Sequence, residues 1–598
     1  MKQNKPPEKA SQLFLFFFPG SYPSSYKKSV YIYSSANRLL KQVNNTLNNT
    51  WAILDKKEKK QFVILILMSI VISIADILAL VALLWIIQFY VQPGNTPVLH
   101  FLPAWLADKN SVSLIALFVV LFSIKNIAGY LIAKAHYTFT GRVAVRLSRN
   151  SLVSYQQAEF VEFVHTDSSA LIRKIALQPF DFSQQVLSGL QQIITQLSLI
   201  TITIIAILLF NAKLFLLLLL ILLPPVIAVF YFLKNRLTIV KKNIRNNNER
   251  SYQYLLDALK GYVEGNIYNR NGFFLRRFLH YRRQFSANLF DSLSLQGLPG
   301  RIIEIFAVLG LFILIVIAKW SGNDDSNTLI TVAAFMAATY KIIPGVVKVI
   351  NLAGQIKAYE FSADELRLTA NTEENIIKNI SPVNIRSVEL KGINFQYSGQ
   401  IVLNNFYFSV KQGDFLGIAG ASGIGKTTIL NLLLGFLKPA SGDILINNNS
   451  VSNETAKQYW PAISCVRQQS FFMYDTILRN ITLEEDEHDK TGLDFALKVS
   501  GVDKLVETYP EGLEKMITEN GKNISGGQQQ RIAMARALYK KADLIMLDEP
   551  FNELDEASTQ SILEHCRELC RNGKIIIMIT HDKKSLAFCN KIVSLNEQ

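Results

Sequence analysis

Long apolar runs dominate the first 380 residues of this 598-residue chain. A helix that crosses a hydrocarbon core of about 30 Å needs roughly 20 consecutive, mainly apolar residues. The runs that meet this length lie at 62–91, 112–138, 188–210, 212–235, 298–320 and 328–355. The third and fourth runs are separated only by Asn211-Ala212-Lys213, which predicts a tight turn. The pattern therefore predicts six membrane-spanning helices.

Two long polar intervals, at 139–187 and 236–297, separate the predicted spans and are rich in arginine and lysine. Loops on the cytoplasmic side of a membrane carry an excess of basic residues, so we expect both intervals to be cytoplasmic. The remaining loops, at 92–111, 211–213 and 321–327, hold few basic residues and are expected to face outward. This topology places both ends of the chain inside.

Beyond residue 380 the pattern changes to short segments of strand type. Residues 388–410 alternate like a pair of strands, whereas Leu544–Leu547 and Ile575–Ile579 are continuously apolar, as in parallel strands covered on both faces. We therefore predict a helical six-span membrane domain at 51–370 and an α/β domain at 371–598. Residues 1–50 are interpreted as a leader that is partly disordered, and the alternative for 29–60 is a basic helix lying along the membrane surface.

Charge separates the two halves of the chain in the same way. Residues 381–598 hold 23 Lys and Arg against 26 Asp and Glu, a net charge of −3, which leaves a net charge of +18 for residues 1–380. The basic excess thus accompanies the apolar half, which indicates anionic lipid headgroups rather than nucleic acid. All four cysteines lie in the C-terminal half without a second pair at metal-ligand spacing, so we interpret them as reduced thiols.

One glycine-rich segment predicts a phosphate-binding loop. It matches G-x-x-x-x-G-K-T, in which backbone N–H groups cradle phosphates, the lysine reaches the β- and γ-phosphates, and the threonine offers a hydroxyl to Mg²⁺. The residues predicted to bind ATP here are Gly420, Ala421, Ser422, Gly423, Gly425, Lys426, Thr427 and Thr428.

A second segment, Ser525-Gly526-Gly527-Gln528, follows about a hundred residues later. In this order the two motifs resemble those of ATP-binding-cassette (ABC) ATPases, so we expect residues 371–598 to form an ABC ATPase domain. The second motif resembles the signature of these ATPases, which caps the γ-phosphate of ATP bound to the opposite subunit. The resemblance implies further roles: adenine stacking for Tyr397, Mg²⁺ sensing for Gln468, Mg²⁺ binding for Asp548, water activation for Glu549, a D-loop at Asp555 and a γ-phosphate contact for His581. Glu519 matches the acidic residue of the exporter X-loop.

Residues from about 50 to 598 resemble an ABC half-exporter, most of all the bacterial flippases of lipid-linked oligosaccharides. The stretches that carry this resemblance in the membrane half are Ile53–Lys60, Val71–Asp76, Pro299–Glu304 and Tyr340–Pro344. Two segments depart from the exporter pattern: residues 550–555 read P-F-N-E-L-D instead of A-T-S-A-L-D, and residues 580–582 read T-H-D instead of A-H-R. Such transporters have short coupling helices, which we expect near 157–172 and 265–278.

The resemblance implies an ATP-driven exporter or flippase that works by alternating access as a dimer, with ATP and Mg²⁺, in the bacterial cytoplasmic membrane. A homodimer is expected, because neither ATP half-site is degenerate. The substrate is amphipathic, for example a polyprenyl-linked oligosaccharide or another lipid. The alternatives are a multidrug or peptide exporter and an ATP-gated channel or regulator; a soluble ABC ATPase serving nucleic acid disagrees with the six spans.

Placing a polar residue inside a membrane span costs free energy, so its presence indicates a role in helix packing or in transport. Asp76, Arg301 and Glu304 are accordingly candidates for a substrate cavity, as are Lys341 and Lys348. Arg301 and Glu304 are three apart and could instead pair on one helix face. The loop at 97–108, with Trp105, is interpreted as an interfacial anchor or a lipid contact.

Overall fold

The chain forms two compact units in the computed structural model. The first consists of residues 1–157 with 166–374, and the second of residues 158–165 with 375–598. Within these limits the structure describes residues 47–91, 112–160, 166–210, 246–320, 325–370, 383–397, 399–420, 424–485 and 487–595, with a few isolated positions between 216 and 244.

Long helices build the first unit. They are α1 (Lys56–Val91), α2 (Ser113–Gln157), α3 (Ser168–Ile172), α4 (Gln178–Asp181), α5 (Ser188–Phe210), α6 (Tyr262–Ile267), α7 (Asn271–Trp320) and α8 (Asp325–Thr369). Two π-helical turns, Arg173–Leu177 and Phe182–Leu187, join α3, α4 and α5 into one continuous helical segment.

Four helical segments in the described part of the chain are long and apolar enough to cross a membrane: Lys56–Leu83, Ser113–Gln157, Ser168–Leu209 and Asn271–Ile313. They overlap four of the six predicted runs. The run at 328–355 lies within α8, and the run at 212–235 lies largely outside the described residues, as do the loop at 97–108 and most of the leader.

One arginine ties the start of α1 to the C-terminal part of α2 and the end of α8. Arg146 on α2 donates hydrogen bonds of 2.7 Å to each carboxylate oxygen of Glu58 on α1. It also donates to the backbone oxygens of Ile53, at 2.9 Å, and of Ala370, at 3.1 Å. Phe139, Leu147 and Leu187 are buried nearby in the same apolar cluster. Charge-assisted bonds and apolar packing thus hold these helix ends in one register.

The second polar interval differs from its prediction. The expected helix at 265–278 is interrupted, since α6 ends at Ile267 and α7 begins at Asn271. Asn269 between them has a positive φ of 50°, and the Arg270 N–H bonds back to the Gly265 oxygen at 2.7 Å. Asparagine tolerates this left-handed conformation, which ends a helix. The helix therefore breaks at Asn269, although the polar sequence pattern continues past it.

Among the described residues, the second unit has three sheets, one of them of only two strands, and helices around them. Its strands are β1 (Ser387–Tyr397), β2 (Gln400–Lys411), β3 (Phe415–Ala419), β4 (Ser441–Ile446), β5 (Asn449–Ser450), β6 (Ile463–Val466), β7 (Asp475–Thr476), β8 (Met516–Ile517), β9 (Leu544–Asp548), β10 (Ile575–Ile579) and β11 (Lys591–Ser594). Its helices are α9 (Lys426–Leu433), α10 (Asn453–Ala456), α11 (Ile477–Thr482), α12 (Lys490–Ser500), α13 (Val502–Glu507), α14 (Gly526–Tyr539), α15 (Glu556–Arg571) and α16 (Lys583–Leu586).

The predicted strands are confirmed. β1 and β2 pair antiparallel with Val388 opposite Val410, in a sheet of order β2-β1-β4-β5. The other large sheet is parallel, in the order β11-β3-β10-β9-β6. Every residue of β9 and β10 is buried, which explains why both strands are continuously apolar.

A short helix, α9, follows the phosphate-binding loop. It ends at Leu433 because Gly435 takes a φ of 72° and the Phe436 N–H bonds back to the Asn431 oxygen at 2.8 Å. This is a glycine-terminated helix end. Phe436 then stacks on Phe160, with ring centroids 4.8 Å apart.

Candidate nucleotide-binding site

The predicted catalytic residues follow the carboxyl ends of neighbouring strands. In the parallel sheet, Ile579 of β10 lies opposite both Ile418 of β3 and Asp548 of β9, and β6 pairs with the other side of β9. Residues that follow these strands therefore meet at one edge, which is where ligands bind in open α/β sheets. Gly420, Gln468, Glu549 and His581 all lie there.

The phosphate-binding loop joins β3 to the N-terminus of α9. Gly425 caps this helix with a φ of 109°, and a Cβ there would lie 2.5 Å from Val402 Cγ1, so both conformation and space require glycine. Free N–H groups at such a helix start favour an anion. Ala421, Ser422 and Gly423 lie outside the described residues, and Thr428 is buried one turn into α9.

Lys426 and Thr427 reach across the edge to β9. The buried Lys426 amine donates to Glu549 Oε1 at 2.6 Å and to the Gly420 oxygen at 3.1 Å. The Thr427 hydroxyl donates to Asp548 Oδ2 at 3.0 Å. The two carboxylates predicted to act on Mg²⁺ and water are thus held by the two residues predicted to act on phosphate.

Glu549 is constrained from three sides. It has a φ of 49°, its N–H bonds to the Ile579 oxygen at 2.9 Å, and its Oε2 lies 2.9 Å from His581 Nδ1. Burial by itself would raise the pKa of Glu549, but the hydrogen bonds from Lys426 and His581 outweigh it, so this pKa lies below its ordinary value. The carboxylate is therefore ionised at neutral pH.

Asp548 lies in a different environment from its neighbour. Burial raises the pKa of Asp548, partly opposed by the hydrogen bond from Thr427. The Thr427 hydroxyl and the Asp548 carboxylate are hard oxygen donors of the kind that Mg²⁺ prefers, and a bound cation would favour the ionised aspartate. These two residues therefore fit a magnesium ion. Gln468 follows β6 at the same edge and is exposed.

The signature segment forms the start of α14. Ser525 is the N-cap and accepts from the Gln528 N–H at 3.3 Å, while Gln528 Oε1 accepts from the Ser525 N–H at 3.0 Å and from the Tyr509 hydroxyl at 3.2 Å. The Gln528 side chain therefore completes a capping box. Ser525 is exposed, and Gly526 and Gly527 follow in the first turn of α14.

Asp555 precedes α15 and Tyr397 lies at the end of β1. Asp555 is the N-cap of α15, accepts from the Ser558 N–H at 2.8 Å and lies 3.1 Å from Arg531 of α14. Tyr397 ends β1 half-exposed, with its ring edge against Phe395 at 4.8 Å between centroids. Glu519 is exposed in a short 3₁₀ turn.

The candidate residues of the membrane spans fall in two places. Arg301 and Glu304 lie 3.9 Å apart, as the three-residue spacing allows, and face a cavity of ≈ 560 Å³ between α7 and α8. Asp76 does not line this cavity and forms ion pairs with Lys125 of α2 and with Lys341 of α8, the latter at 3.9 Å. The sequence analysis missed Lys125, because a lysine within a span shows no partner until the helices are packed.

Part of the second unit matches a known protein family. Residues 403–552 match the family model described as ABC transporter. A putative export ATP-binding/permease protein of Rickettsia bellii is 35% identical over 226 residues, which cover 37% of this chain and 39% of the relative. The ATP-dependent lipid A-core flippase of Neisseria meningitidis serogroup B is 26% identical over 298 residues, 49% of this chain and 48% of the relative. The chain thus spans less than half the length of these two relatives.

Similarity in fold to a solved structure extends over nearly the whole chain. A solved structure, a bacterial Atm1-family ABC exporter with ATP bound, superposes with a TM-score of 0.74 over 90% of this chain and 94% of the other, at 19% identity. Residues 403–552 of the second unit thus match the ABC transporter family, and the chain has the fold of an exporter in which a helical membrane domain precedes an ATPase domain.

Proposed function

We propose that this chain is one half of an ATP-driven exporter or flippase that moves an amphipathic substrate, such as a polyprenyl-linked oligosaccharide or another lipid, through the bacterial cytoplasmic membrane. The observation that carries the proposal is the set of contacts at one sheet edge, where Lys426 meets Glu549 and Thr427 meets Asp548. The same chain supplies at least four helices suited to a membrane.

The contacts support ATP hydrolysis because phosphoryl transfer depends mainly on positioning and charge neutralisation. Lys426 and the N-terminus of α9 supply positive charge to the phosphates of ATP. Phosphate oxygens then compete with Glu549 for the Lys426 amine, which frees the ionised carboxylate to polarise the attacking water. His581, held beside Glu549, contacts the γ-phosphate. A magnesium ion held by Thr427 and Asp548 would neutralise further negative charge.

The complete site requires a second copy of the chain. The exposed Ser525 and the two glycines after it form a helix start that suits the γ-phosphate of ATP on a partner. Since one chain carries the phosphate-binding loop, Glu549, His581 and the signature, a homodimer has two competent composite sites. We expect closure of the two ATPase domains to drive alternating access.

A lipid substrate is favoured by the membrane half itself. The net charge of +18 in residues 1–380 attracts anionic headgroups. Ionisable side chains such as Asp76 and Lys341 lie inside the spans, where such residues are retained chiefly for function.

The test is the ATPase activity of the purified protein in lipid nanodiscs, with and without polyprenyl-pyrophosphate-linked oligosaccharide. Replacing Glu549 by Gln removes the general base, so turnover should fall by a factor on the order of 10²–10⁴ while ATP binding remains. The matched control is Glu556→Gln, which changes an exposed carboxylate that pairs only with Lys584 among the described residues.

Stimulation by the glycolipid that disappears with Glu549→Gln would support the flippase. Strong basal hydrolysis that ignores the glycolipid would remove this substrate and leave drugs, peptides or simple lipids. Unchanged turnover in Glu549→Gln would refute the role given to Glu549.

A further inference from the structure

The membrane domain contains a second, polar cavity that the ATPase chemistry does not use. It measures ≈ 260 Å³ and lies between α1, α2, α5 and α8. It is separate from the cavity of ≈ 560 Å³ beside Arg301 and Glu304. Its polar lining includes Ser73, Asp76, His136, Gln191, Thr195 and Lys348. Polar groups are expensive inside a membrane, so a lining residue without a partner in the protein favours a polar occupant.

Gln191 is a lining residue whose side-chain polar atoms have no hydrogen-bond partner among the described residues. Its side chain is only 2% exposed, and neither its amide nitrogen nor its amide oxygen has a hydrogen-bond partner among the described residues. An amide offers two N–H donors and one carbonyl acceptor, and burying them unpaired costs free energy. Gln191 lines the cavity, so a molecule bound there can supply this partner.

The charges around the cavity specify the sign of that molecule. Asp76 on the wall of the cavity is paired with Lys125 and Lys341. Lys348 lines the same cavity and forms no ion pair in the part of the chain that the structure describes. Because Asp76 is already paired, Lys348 remains as a positive charge on the cavity wall, and a positive charge in a low-dielectric region favours an anion.

We propose that this cavity binds the anionic headgroup of the transported amphiphile. Lys348 supplies the charge, Gln191 donates hydrogen bonds to the anion, and the charge of Asp76 is offset by its ion pairs with Lys125 and Lys341. The cavity is smaller than the roughly 300–1,000 Å³ of sites that enclose a whole drug-sized ligand, so it takes the headgroup and leaves the acyl chains outside. The identity of the occupant rests on the proposed function, whereas its charge follows from the cavity.

The test measures binding without ATP to the full chain in phosphatidylcholine nanodiscs by isothermal titration calorimetry. The probes are dihexanoyl phosphatidic acid and dihexanoyl phosphatidylcholine, which share their acyl chains and differ in headgroup charge. We expect tighter binding of phosphatidic acid, weakened on the order of tenfold by Lys348→Gln and by Gln191→Leu. The control Lys357→Gln removes the same charge from α8 outside the cavity and should change binding less than about twofold.

Two further measurements separate a binding role from a structural one. Gln191→Leu removes no hydrogen bond within the described protein, so the unfolding temperature should not fall although phosphatidic acid binds less well. The difference between the variants should also persist in high salt, because salt screens exposed charges far more than buried ones.

The proposal is overturned if Lys348→Gln and Lys357→Gln bind phosphatidic acid equally, since binding is then recruitment to the basic surface. It is also overturned if the two probes bind equally to the native chain. ATPase activity measured on the same samples keeps the two hypotheses apart. Intact hydrolysis without selective binding refutes only the headgroup site, whereas selective binding without hydrolysis refutes only the ATP-driven pump.

Discussion

Glu549 lies in a backbone conformation that residues other than glycine rarely adopt. Its φ of 49° carries a cost of roughly 1–3 kcal/mol, which the surrounding contacts must offset. The N–H bond to Ile579 and the two contacts of its carboxylate, with Lys426 and His581, supply that support. The position of this carboxylate is therefore set by the strand end and not by a freely rotating side chain.

The two signature glycines differ in what a side chain would meet. A Cβ on Gly527 would lie 2.6 Å from the backbone oxygen of Glu553, whereas a Cβ on Gly526 would meet the flexible Glu553 side chain at 3.0 Å. The Glu553 backbone cannot move away from an added Cβ as readily as the flexible Glu553 side chain can. Gly527 is therefore required for the close approach of α14 to the loop before α15, independently of any contact with ATP.

We accordingly expect Gly527→Ala to destabilise the ATPase domain by about 1–3 kcal/mol through overpacking, and Gly526→Ala by clearly less. The measurement is the thermal unfolding midpoint of the full chain in detergent without nucleotide, which reports packing and not catalysis. Equal midpoints for the two variants would show that the Glu553 backbone moves aside and that the contact does not constrain the helix.

At the scale of elements, Asp555 connects two helices. Its carboxylate caps α15 through the Ser558 N–H and hydroxyl, at 2.8 and 2.7 Å, and also meets Arg531 of the signature helix α14. The hydrogen bonds with Ser558, above all, lower the pKa of Asp555, so the cap remains charged until well below neutral pH. The residue assigned to a D-loop by its motif therefore has a structural role as well.

Two substitutions separate the capping hydrogen bond of Asp555 from its charge. Asparagine caps a helix about as well as aspartate, whereas alanine cannot, so Asp555→Ala should destabilise the start of α15 by ~1 kcal/mol and Asp555→Asn should not. Hydrogen exchange of residues 556–559, followed by mass spectrometry, reports this locally. Faster exchange in both variants would mean that the charge on Asp555, and not its capping bond, stabilises the helix.

At the scale of the whole molecule, the proposed composite sites predict complementation between two inactive chains. Lys426→Ala disables the phosphate-binding loop and Ser525→Arg disables the signature, so each homodimer should be inactive. A mixed dimer retains one site built from the intact half of each chain. Co-expression should therefore restore roughly a quarter of native ATPase activity if subunits pair at random in a two-fold dimer.

The control for complementation places both substitutions in one chain and co-expresses it with the Lys426→Ala chain. That mixture contains no intact phosphate-binding loop and should stay inactive. Activity in either parent alone, or none in the complementing mixture, would contradict ATP sites shared between two subunits.

Local patterns predicted much of this architecture. The alternation over 388–410 predicted the pairing of β1 with β2, and the apolar pentamers predicted the buried strands β9 and β10. The break after α6 was not predicted, because it depends on Asn269 taking a left-handed conformation within a segment of continuous helical pattern. Interaction partners were harder still to predict, since nothing in the spacing of Asp76 and Lys125 indicates that they meet.

The sequence by itself determined the order of the two domains, the apolar helices, and the motifs that bring phosphate-binding groups to a helix start. These features depend on residues a few positions apart, whose periodicity and backbone preferences act locally. The tertiary structure alone decided that Lys426 meets Glu549, that Gly527 approaches Glu553, and that Gln191 and Lys348 share a cavity with Asp76. Those contacts join residues far apart in the chain, and they follow from strand order and helix packing, which no local pattern encodes.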